Sequence, residues 1–496
     1  MVLRRLLRPL LPGVARAAEM PDSEEEILLV APPPPISNDL RLGAVMRLLL
    51  ILLASSGLRF LPIFRKTKPS LSKGGSAVVS EQTLPTLTLT SVPTDLRGAS
   101  LRNAALERCD LSYCRLEGAV LVGARLQGTI LRGTRLASAD LRKTGITAEQ
   151  LASAHKTMLR CKLAALDLQG VDLSNFDLRE SDLSGAQLSG ADFSSCRLSG
   201  ARMARADLTG ARLVGACLRG ANLDFSSVTG EQLQSAQPDL SHSSLRNLDL
   251  RGADLRGFRL HKARMKGAML AGVNLSGCMT LRGSQMQSVN KDLSRASLAR
   301  TRLQRVNFHN FDLRDVDLSH SKLAHAIFTN AKLEGASFKG ASLYNASFKG
   351  ARLSGCSFDG SSATGRQIEQ AHTDLSGCNL SFVDMRAANL SGFDLSGADL
   401  TGAKLSRADL SGCNLEGAKL EFTELEDANL VNAYLDRAQF ACAMAKGANL
   451  TGCRLYDATC SREDRKTTLQ VKVTPVAQDA VVIKPKVLPV LELRKR

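Results

Sequence analysis

A leucine recurs at every fifth position through most of the chain. The stretch SGADLTGAKLSRADLSGCNLEGAKLEF, residues 396–422, has Leu at 400, 405, 410, 415 and 420, and a small residue two places before each. On an α-helix, five residues turn the side chain by about 140° beyond a full turn, so the leucines would scatter around the axis. On a flat strand, side chains alternate between faces, so alternate leucines would face solvent. The period therefore excludes a conventional helix or sheet.

A closed coil satisfies the period, because each pentapeptide can form one short side and then turn a corner. Every Leu, and the small residue two places before it, then points toward the axis, and coils stack at about 4.8 Å, the spacing of paired strands. Phe replaces the central Leu at 308, 328, 338, 348 and 358, and separations of twenty recur among these positions while none of fifteen does. Stacking of like residues predicts twenty residues per coil, and hence four sides.

The units ADLSG at 408–412, ADLTG at 206–210 and ANLSG at 388–392 follow the pattern A(D/N)LxG. This pattern resembles the pentapeptide repeat family, and the resemblance covers roughly 94–460. It implies an all-β fold, a right-handed quadrilateral parallel β-helix with four pentapeptides per coil. Some bacterial members of that family mimic DNA and inhibit topoisomerases through an acidic surface. The repeat region of this chain is basic overall, which argues against the same role here.

Three interludes divide the repeats into predicted blocks at 94–143, 166–227, 238–362 and 373–460. They are ITAEQLASAH at 146–155, VTGEQLQSAQ at 228–237 and ATGRQIEQAH at 363–372. In each, a Thr is followed three residues later by a Gln, which is the pattern of a capping box and predicts a short helix. A further irregularity lies at 278–292, where the central apolar residues follow one another at six- and seven-residue steps. The Thr and Gln pairs are Thr147 with Gln150, Thr229 with Gln232 and Thr364 with Gln367.

The two termini differ from the repeats. Four arginines precede the first acid, Glu19, which resembles an organellar transit peptide. In MRLLLILLASSGLRF, residues 46–60, only eleven residues separate Arg47 from Arg59. That is shorter than the roughly twenty residues of a spanning helix and fits the apolar core of a signal peptide. We expect 1–93 to be an organellar or secretory targeting segment, a membrane anchor or a disordered leader, and 461–496 to be a cap or a basic flexible tail.

Most of the twelve cysteines stand at the small-residue position of the repeat. The chain has no CxxC pair and no Cys/His cluster with zinc spacing, so we expect buried thiols in a reducing compartment and neither metal nor cofactor. It also lacks a nucleophile elbow, a P-loop and an HExxH motif. The abundant Asp and Asn before each Leu follow from the repeat. The sequence therefore predicts a protein that is not an enzyme.

Charge is concentrated in one segment. Residues 240–305 contain 13 Lys and Arg against 3 Asp and Glu, within a chain whose formal net charge is +17, whereas 416–436 is rich in acids. Because the basic residues fall on consecutive sides of the coil, they predict a collar around the rod rather than a stripe. We call the following set the basic collar and predict it as a binding site for an acidic partner: Arg246, Arg251, Arg256, Arg259, Lys262, Arg264, Lys266, Arg295, Arg300, Arg302 and Arg305.

A stiff rod with varied polar faces is suited to binding other proteins, so the leading functional prediction is a non-enzymatic protein–protein interaction scaffold. One alternative is a binder of nucleic acid or another acidic surface through 240–305. It is not favoured for nucleic acid, because Phe258 is the only Phe, Tyr or Trp in that segment and bases would have nothing to stack on. The other alternative is a membrane-associated or secreted effector-like protein, which would depend on 46–60 being retained.

Overall fold

The repeats form a rod of stacked coils. The computed structural model describes residues 95–459, and the predictions for 1–93 and for 461–496 lie outside them. Parallel β-bridges join each residue before a central Leu to the residue twenty positions on, as in Asp95 with Arg115 and Asp399 with Lys419. Each regular coil therefore contains four pentapeptides. Twenty residues per coil is the number predicted from the spacing of the phenylalanines.

The interior of the rod is predominantly apolar over its described length. Leu400, Leu405 and Leu410 are fully buried, as are nearly all central residues of the repeat. The predicted Phe stacks form: the rings of Phe328 and Phe348 lie 5.1 Å apart and within 5° of parallel. Rings from opposite sides of the coil meet edge to face at the axis, as Phe328 and Phe338 do at 5.5 Å. Burial of this continuous column holds successive coils together.

Small residues two places before each Leu complete the interior. Where such a residue carries a polar atom, that atom commonly donates a hydrogen bond to a backbone carbonyl, in most cases one of the preceding coil. Cys413 Sγ donates to Leu390 O at 2.8 Å, and Thr423 Oγ1 donates to Leu400 O at 3.0 Å. Burial raises the pKa of the Cys413 thiol to about 12. This cysteine is therefore a packing residue rather than a reactive one, as the sequence predicts.

Three outward positions surround each central Leu. We call the residue before it the bridge position and the two residues after it the first and second turn positions. The second turn position has a left-handed backbone, with φ of +64° at Gly402, and this conformation favours glycine. Large residues at this position lean over the next coil, as the Phe382 ring does over Gly402. The corners therefore place side chains along the outer edges of the rod.

Four short helices interrupt the coils: α1 Ala148–Ser153, α2 Gly230–Ser235, α3 Gly283–Met286 and α4 Gly365–Ile368. The sequence predicted three interludes and missed α3, which lies in the irregular segment 278–292 inside the predicted block 238–362. Bridges across the helical coils span 22 or 23 residues instead of twenty. None of the helices within 95–459 is both long and apolar enough to cross a membrane.

A glutamine fastens each helix to the coil before it. In α1 and α2 the predicted capping boxes form, with Gln150 N and Gln232 N donating to the hydroxyls of their N-cap threonines. In α4 only half of the box is present, since Gln367 N donates to the Thr364 carbonyl instead. The shared feature is the Gln amide, whose Oε1 accepts from the N-cap N–H and whose Nε2 donates to two carbonyls of the preceding coil. It occurs in Gln150, Gln232, Gln285 and Gln367.

The helices lie on opposite faces of the rod. The first face carries the bridge positions 239, 259, 302 and 322, and the second carries 244, 264, 307 and 327. The third carries 249, 269, 292 and 312, and the fourth carries 254, 274, 297 and 317. In this register α1 and α2 replace the fourth side of their coils, and α3 and α4 replace the second. Within each pair the helices are four coils apart, or about 19 Å at the spacing of paired strands.

Candidate functional site

The structure divides the basic collar into residues that have an acidic partner and residues that do not. Arg251 lies 2.7 Å from Asp249, and Arg256 lies 2.7 Å from Asp254. In both cases the Arg at a first turn position folds back onto the Asp at the bridge position of its own pentapeptide. Arg246 is more loosely paired, 4.0 Å from an Asp of the preceding coil. The charges of these three arginines are therefore largely neutralised, and they attract an acidic partner only weakly.

The other eight collar residues have no carboxylate within 4.0 Å among residues 95–459. Four of them lie on the first face or its edge. Arg282, a basic residue that the predicted set did not include, lies there too. The second face has two more, and the corners of the third and fourth faces have one each. In face order, the eight are Arg259, Lys262, Arg302 and Arg305, then Arg264 and Lys266, then Arg295 and Arg300.

A groove of about 690 Å³ opens on the first face among these unpaired cations. Residues from four successive coils line it, and none of them is an Asp or Glu. Arg302 and Arg305, both exposed, are the two predicted collar residues that the groove brings together. The sequence prediction missed the rest of the lining. Its side chains are His261, Met279, Thr280, Leu281, Arg282, Gln304, Ala324 and His325, beside the backbone of Gly283.

The groove lies where the ladder of the first face is broken. In a regular coil the N–H of the central Leu donates to a carbonyl of the next coil, as Leu240 N does to Arg259 O at 2.9 Å. At the break, Leu260 N donates instead to the hydroxyl of Thr280, at 2.8 Å. The chain then turns, leaves Met279 exposed, and begins α3. We call residues 278–292 the slipped coil.

The fold also places acidic residues on the first face, toward the C-terminal end of the rod. Glu424, Glu426 and Asp427 occupy the three outward positions of one pentapeptide there. Within 95–459 no three His, Cys, Asp or Glu side chains lie close enough together to hold a metal ion. The first face is thus basic at the slipped coil and acidic seven coils later, about 34 Å away by strand spacing.

The family model for pentapeptide repeats matches residues 94–128, 119–146, 160–194, 186–224, 239–278, 292–330, 328–360, 378–417 and 418–457, which together make up more than half of the chain. The chain belongs to the pentapeptide repeat family. Its fold is therefore the right-handed β-helix of that family. The unmatched gaps between 94 and 457 coincide with the short helices α1 to α4 of this pentapeptide repeat protein.

Solved structures similar to this pentapeptide repeat protein come from cyanobacteria, plants and a resistance plasmid. HetL of Nostoc sp. strain PCC 7120, a protein involved in regulating heterocyst differentiation, is 26% identical over 60% of this chain and 91% of its own, with a TM-score of 0.13. A pentapeptide repeat protein of the Arabidopsis thaliana thylakoid lumen is 25% identical over 31% and 71%, with a TM-score of 0.13. QnrB1, a plasmid-mediated fluoroquinolone resistance protein, is 18% identical over 50% and 92%, with a TM-score of 0.17. No curated protein matches the chain.

Proposed function

We propose that this chain is a non-enzymatic interaction scaffold, a right-handed quadrilateral rod whose first face docks an acidic segment of a partner protein at the slipped coil. The observation that carries the proposal is the group of unpaired cations around the groove. Elsewhere on the rod arginines commonly have a carboxylate close by, as Arg314 has Asp312 at 2.7 Å and Arg386 has Asp384 at 2.6 Å. Cations without such partners are available to a ligand without first breaking an internal ion pair.

The surface favours an acidic protein segment over nucleic acid. Phe258, the one Phe, Tyr or Trp of the collar segment, is only 6% exposed and presents no ring to a base. A long polyanion following the first face would also reach Glu424, Glu426 and Asp427, whose charges would repel it. A segment that covers only the slipped coil avoids those carboxylates. The charge pattern therefore fits a short acidic element better than an extended phosphate backbone.

The test is affinity capture from native lysate with the full chain as bait, with and without nuclease, at low and high salt. The variant Arg302→Gln/Arg305→Gln removes two unpaired cations from the groove. The matched control Arg251→Gln/Arg256→Gln removes the same charge from the same collar, but at two ion-paired positions. We expect wild type and the control to retain a protein partner after nuclease treatment, and the groove variant to lose it.

Two results would contradict the proposal. If the control variant lost the partner as completely as the groove variant, net charge rather than the first face would control binding. If the bait recovered nucleic acid that disappears with nuclease and with salt, the chain would be a polyanion binder, since counterion release makes such binding strongly salt-dependent. Proteins that survive both treatments and depend on Arg302 and Arg305 support the scaffold.

A further inference from the structure

We propose that the groove at the slipped coil is an oxyanion site that takes a phosphate group. The inference rests on the proposed function insofar as a partner protein carries that group. Three features of the groove support it: the absence of counter-ions for its cations, the number of hydrogen-bond donors that line it, and its volume.

The slipped coil presents no counter-ion to the groove. On this rod an Arg at a bridge position often lies near the Asp at the same position one coil before, as Arg212 lies 3.4 Å from Asp192. Arg302 occupies a bridge position on the first face, but one coil before it the slip has replaced the bridge residue with the turn at Met279 and Thr280. Arg282 likewise has Thr280, not an Asp, two residues before it. The slipped coil therefore supplies no carboxylate at either of these two positions, and the basic charge of the groove is left without a counter-ion there.

The donors in the groove suit a dianion. Arg282, Arg302 and Arg305 come from two successive coils, and each guanidinium presents a fork of N–H donors that matches the oxygens of phosphate or carboxylate. Three guanidiniums exceed what one carboxylate can neutralise, whereas a phosphate monoester carries nearly two charges on three terminal oxygens. The hydroxyl of Thr280 and the amide of Gln304 line the same space. The groove thus combines three cations with neutral polar groups and no carboxylate.

The size of the groove leaves room for whatever carries the phosphate. A volume of about 690 Å³ falls within the range of roughly 300–1,000 Å³ typical of small-ligand sites and far exceeds a single phosphate. The exposed Met279 provides an apolar contact at the rim, 57% of its surface being accessible. Two sources share the required chemistry, a phosphorylated side chain of a protein and a free phosphorylated small molecule. The experiment distinguishes them.

The experiment is calorimetric titration of the full chain with four probes: inorganic phosphate, O-phosphoserine, a neutral peptide with one phosphoserine, and the same peptide without phosphate. The variants are Arg302→Gln/Arg305→Gln, Arg282→Gln and Arg282→Lys, with Arg251→Gln/Arg256→Gln as the control. Each guanidinium lost should weaken phosphate-bearing probes by about tenfold, and Arg282→Lys should restore part of that loss because it keeps the charge without the fork. The control should stay within about twofold of wild type, since its arginines are already paired.

The outcomes separate the sources. A phosphopeptide that binds at least about tenfold more tightly than inorganic phosphate assigns the site to a protein partner. Equal affinities for the peptide, phosphoserine and inorganic phosphate assign it to a free small molecule. The proposal is overturned if no phosphate-bearing probe binds, if the unphosphorylated peptide binds equally well, or if the control variant loses as much affinity as the groove variant.

The same variants distinguish this inference from the scaffold function. If Arg302→Gln/Arg305→Gln abolishes capture of a partner while no phosphate-bearing probe binds wild type, the docking proposal is supported and the phosphate-site proposal is rejected. If phosphate-bearing probes bind but no partner is captured, the phosphate site stands alone. Because the substituted side chains are exposed, the groove variants should unfold at the wild-type temperature, and the control, which loses two surface ion pairs, at most slightly below it. An unfolding scan of each variant checks that the fold is intact.

Discussion

The slipped coil and the regular block at 375–455 have the same interior and different exteriors. In both regions apolar side chains fill the axis, with Met286 and Leu405 each fully buried. In the regular block every side keeps its β-bridges, and cations such as Arg386 and Lys419 have a carboxylate within 4 Å. At the slipped coil the ladder of the first face is broken, and the arginines around it have no such carboxylate.

This difference shows where a protein built from such a repeat obtains a surface that differs from the rest of the rod. The repeat specifies the residue that points inward, and it also brings Asp to the bridge position so often that many arginines have a carboxylate close by. The slipped coil has no such Asp on the first face, and a groove lined by unpaired cations opens there. Interruptions of the repeat, rather than the repeat itself, therefore produce the surface best suited to recognise a partner.

The largest expected effect tests the shared interior. Leu405→Arg places a cation in the apolar column of the regular block, where no partner is present, and should cost about 3–5 kcal/mol of folding stability. Limited proteolysis should then cleave within 375–455 under conditions where wild type resists. The control is Met444→Arg, which adds the same charge at an exposed bridge position of that block and should change stability by no more than about 0.5 kcal/mol. Equal protease resistance of Leu405→Arg and wild type would contradict the inward placement of the leucine column.

The second effect tests the glutamine that fastens each helix. Gln285→Met, which nearly preserves volume, leaves the carbonyls of Leu260 and Ala263 and the N–H of Arg282 without the Gln amide. We expect a loss of about 2 kcal/mol, measured by urea denaturation. Gln367→Met removes the equivalent bonds at α4, next to the regular block, and should cost a similar amount.

The two glutamine variants should differ in binding. Only Gln285 holds α3 and the slipped coil in place, so Gln285→Met should weaken phosphopeptide binding while Gln367→Met leaves it unchanged. Hydrogen exchange at 278–290 gives an independent readout, since the N–H of Arg282, released from Oε1 of Gln285, should lose protection. Identical binding by both variants would mean that the groove does not depend on how the slipped coil is fastened.

Much of the fold could be predicted from the residue spacing. The five-residue period of Leu predicts a closed coil with one pentapeptide per side, and the twenty-residue separations of Phe favour four sides because like residues then stack from coil to coil. The helix α3 escaped prediction because Arg282 stands where the other interludes have Thr. A signal was present nonetheless: Gln followed at once by an apolar residue marks all four helices. The pairs are Gln150–Leu151, Gln232–Leu233, Gln285–Met286 and Gln367–Ile368.

Only part of the candidate site could be predicted from residue spacing and charge. Counting charges locates the collar, but it does not separate paired from unpaired cations. The motif Asp-Leu-Arg would have identified the pairs. In Asp249–Arg251 and Asp254–Arg256, the Arg after the Leu donates hydrogen bonds to the Asp before it. The groove could not be predicted this way. Its lining comes from four coils whose alignment depends on how the slipped coil is accommodated, and residue spacing across an irregular segment does not determine that.

A smaller effect tests the corners of the regular block. Gly397 and Gly402 both have φ of +64°, so replacing either by Ala should cost about 1–2 kcal/mol for the left-handed backbone. A Cβ at Gly397 meets nothing within 4 Å, whereas one at Gly402 would lie 2.6 Å from Cε1 of the Phe382 ring. Gly402→Ala should therefore be the more destabilising by about 1 kcal/mol in urea denaturation. The double variant Phe382→Ser/Gly402→Ala should remove that excess, and a persistent difference would show that the ring is not its cause.

The smallest effect distinguishes paired from unpaired cations by pH. The hydrogen bond from the Arg386 side chain lowers the pKa of Asp384 below its ordinary value of 3.8. A carboxyl with a lowered folded-state pKa stabilises the protein above its unfolded-state pKa, and this contribution is lost as the pH falls through the folded-state value. Wild type should therefore exceed Asp384→Asn in urea midpoint at neutral pH, and the difference should shrink as the pH falls below the ordinary value of 3.8 and vanish below the folded-state pKa. Arg302→Gln/Arg305→Gln should show no such convergence with wild type, because Arg302 and Arg305 have no carboxylate partner to protonate. A convergence of the groove variant over the same pH range would reveal an acidic partner within the chain and would remove the basis for treating those cations as available to a ligand.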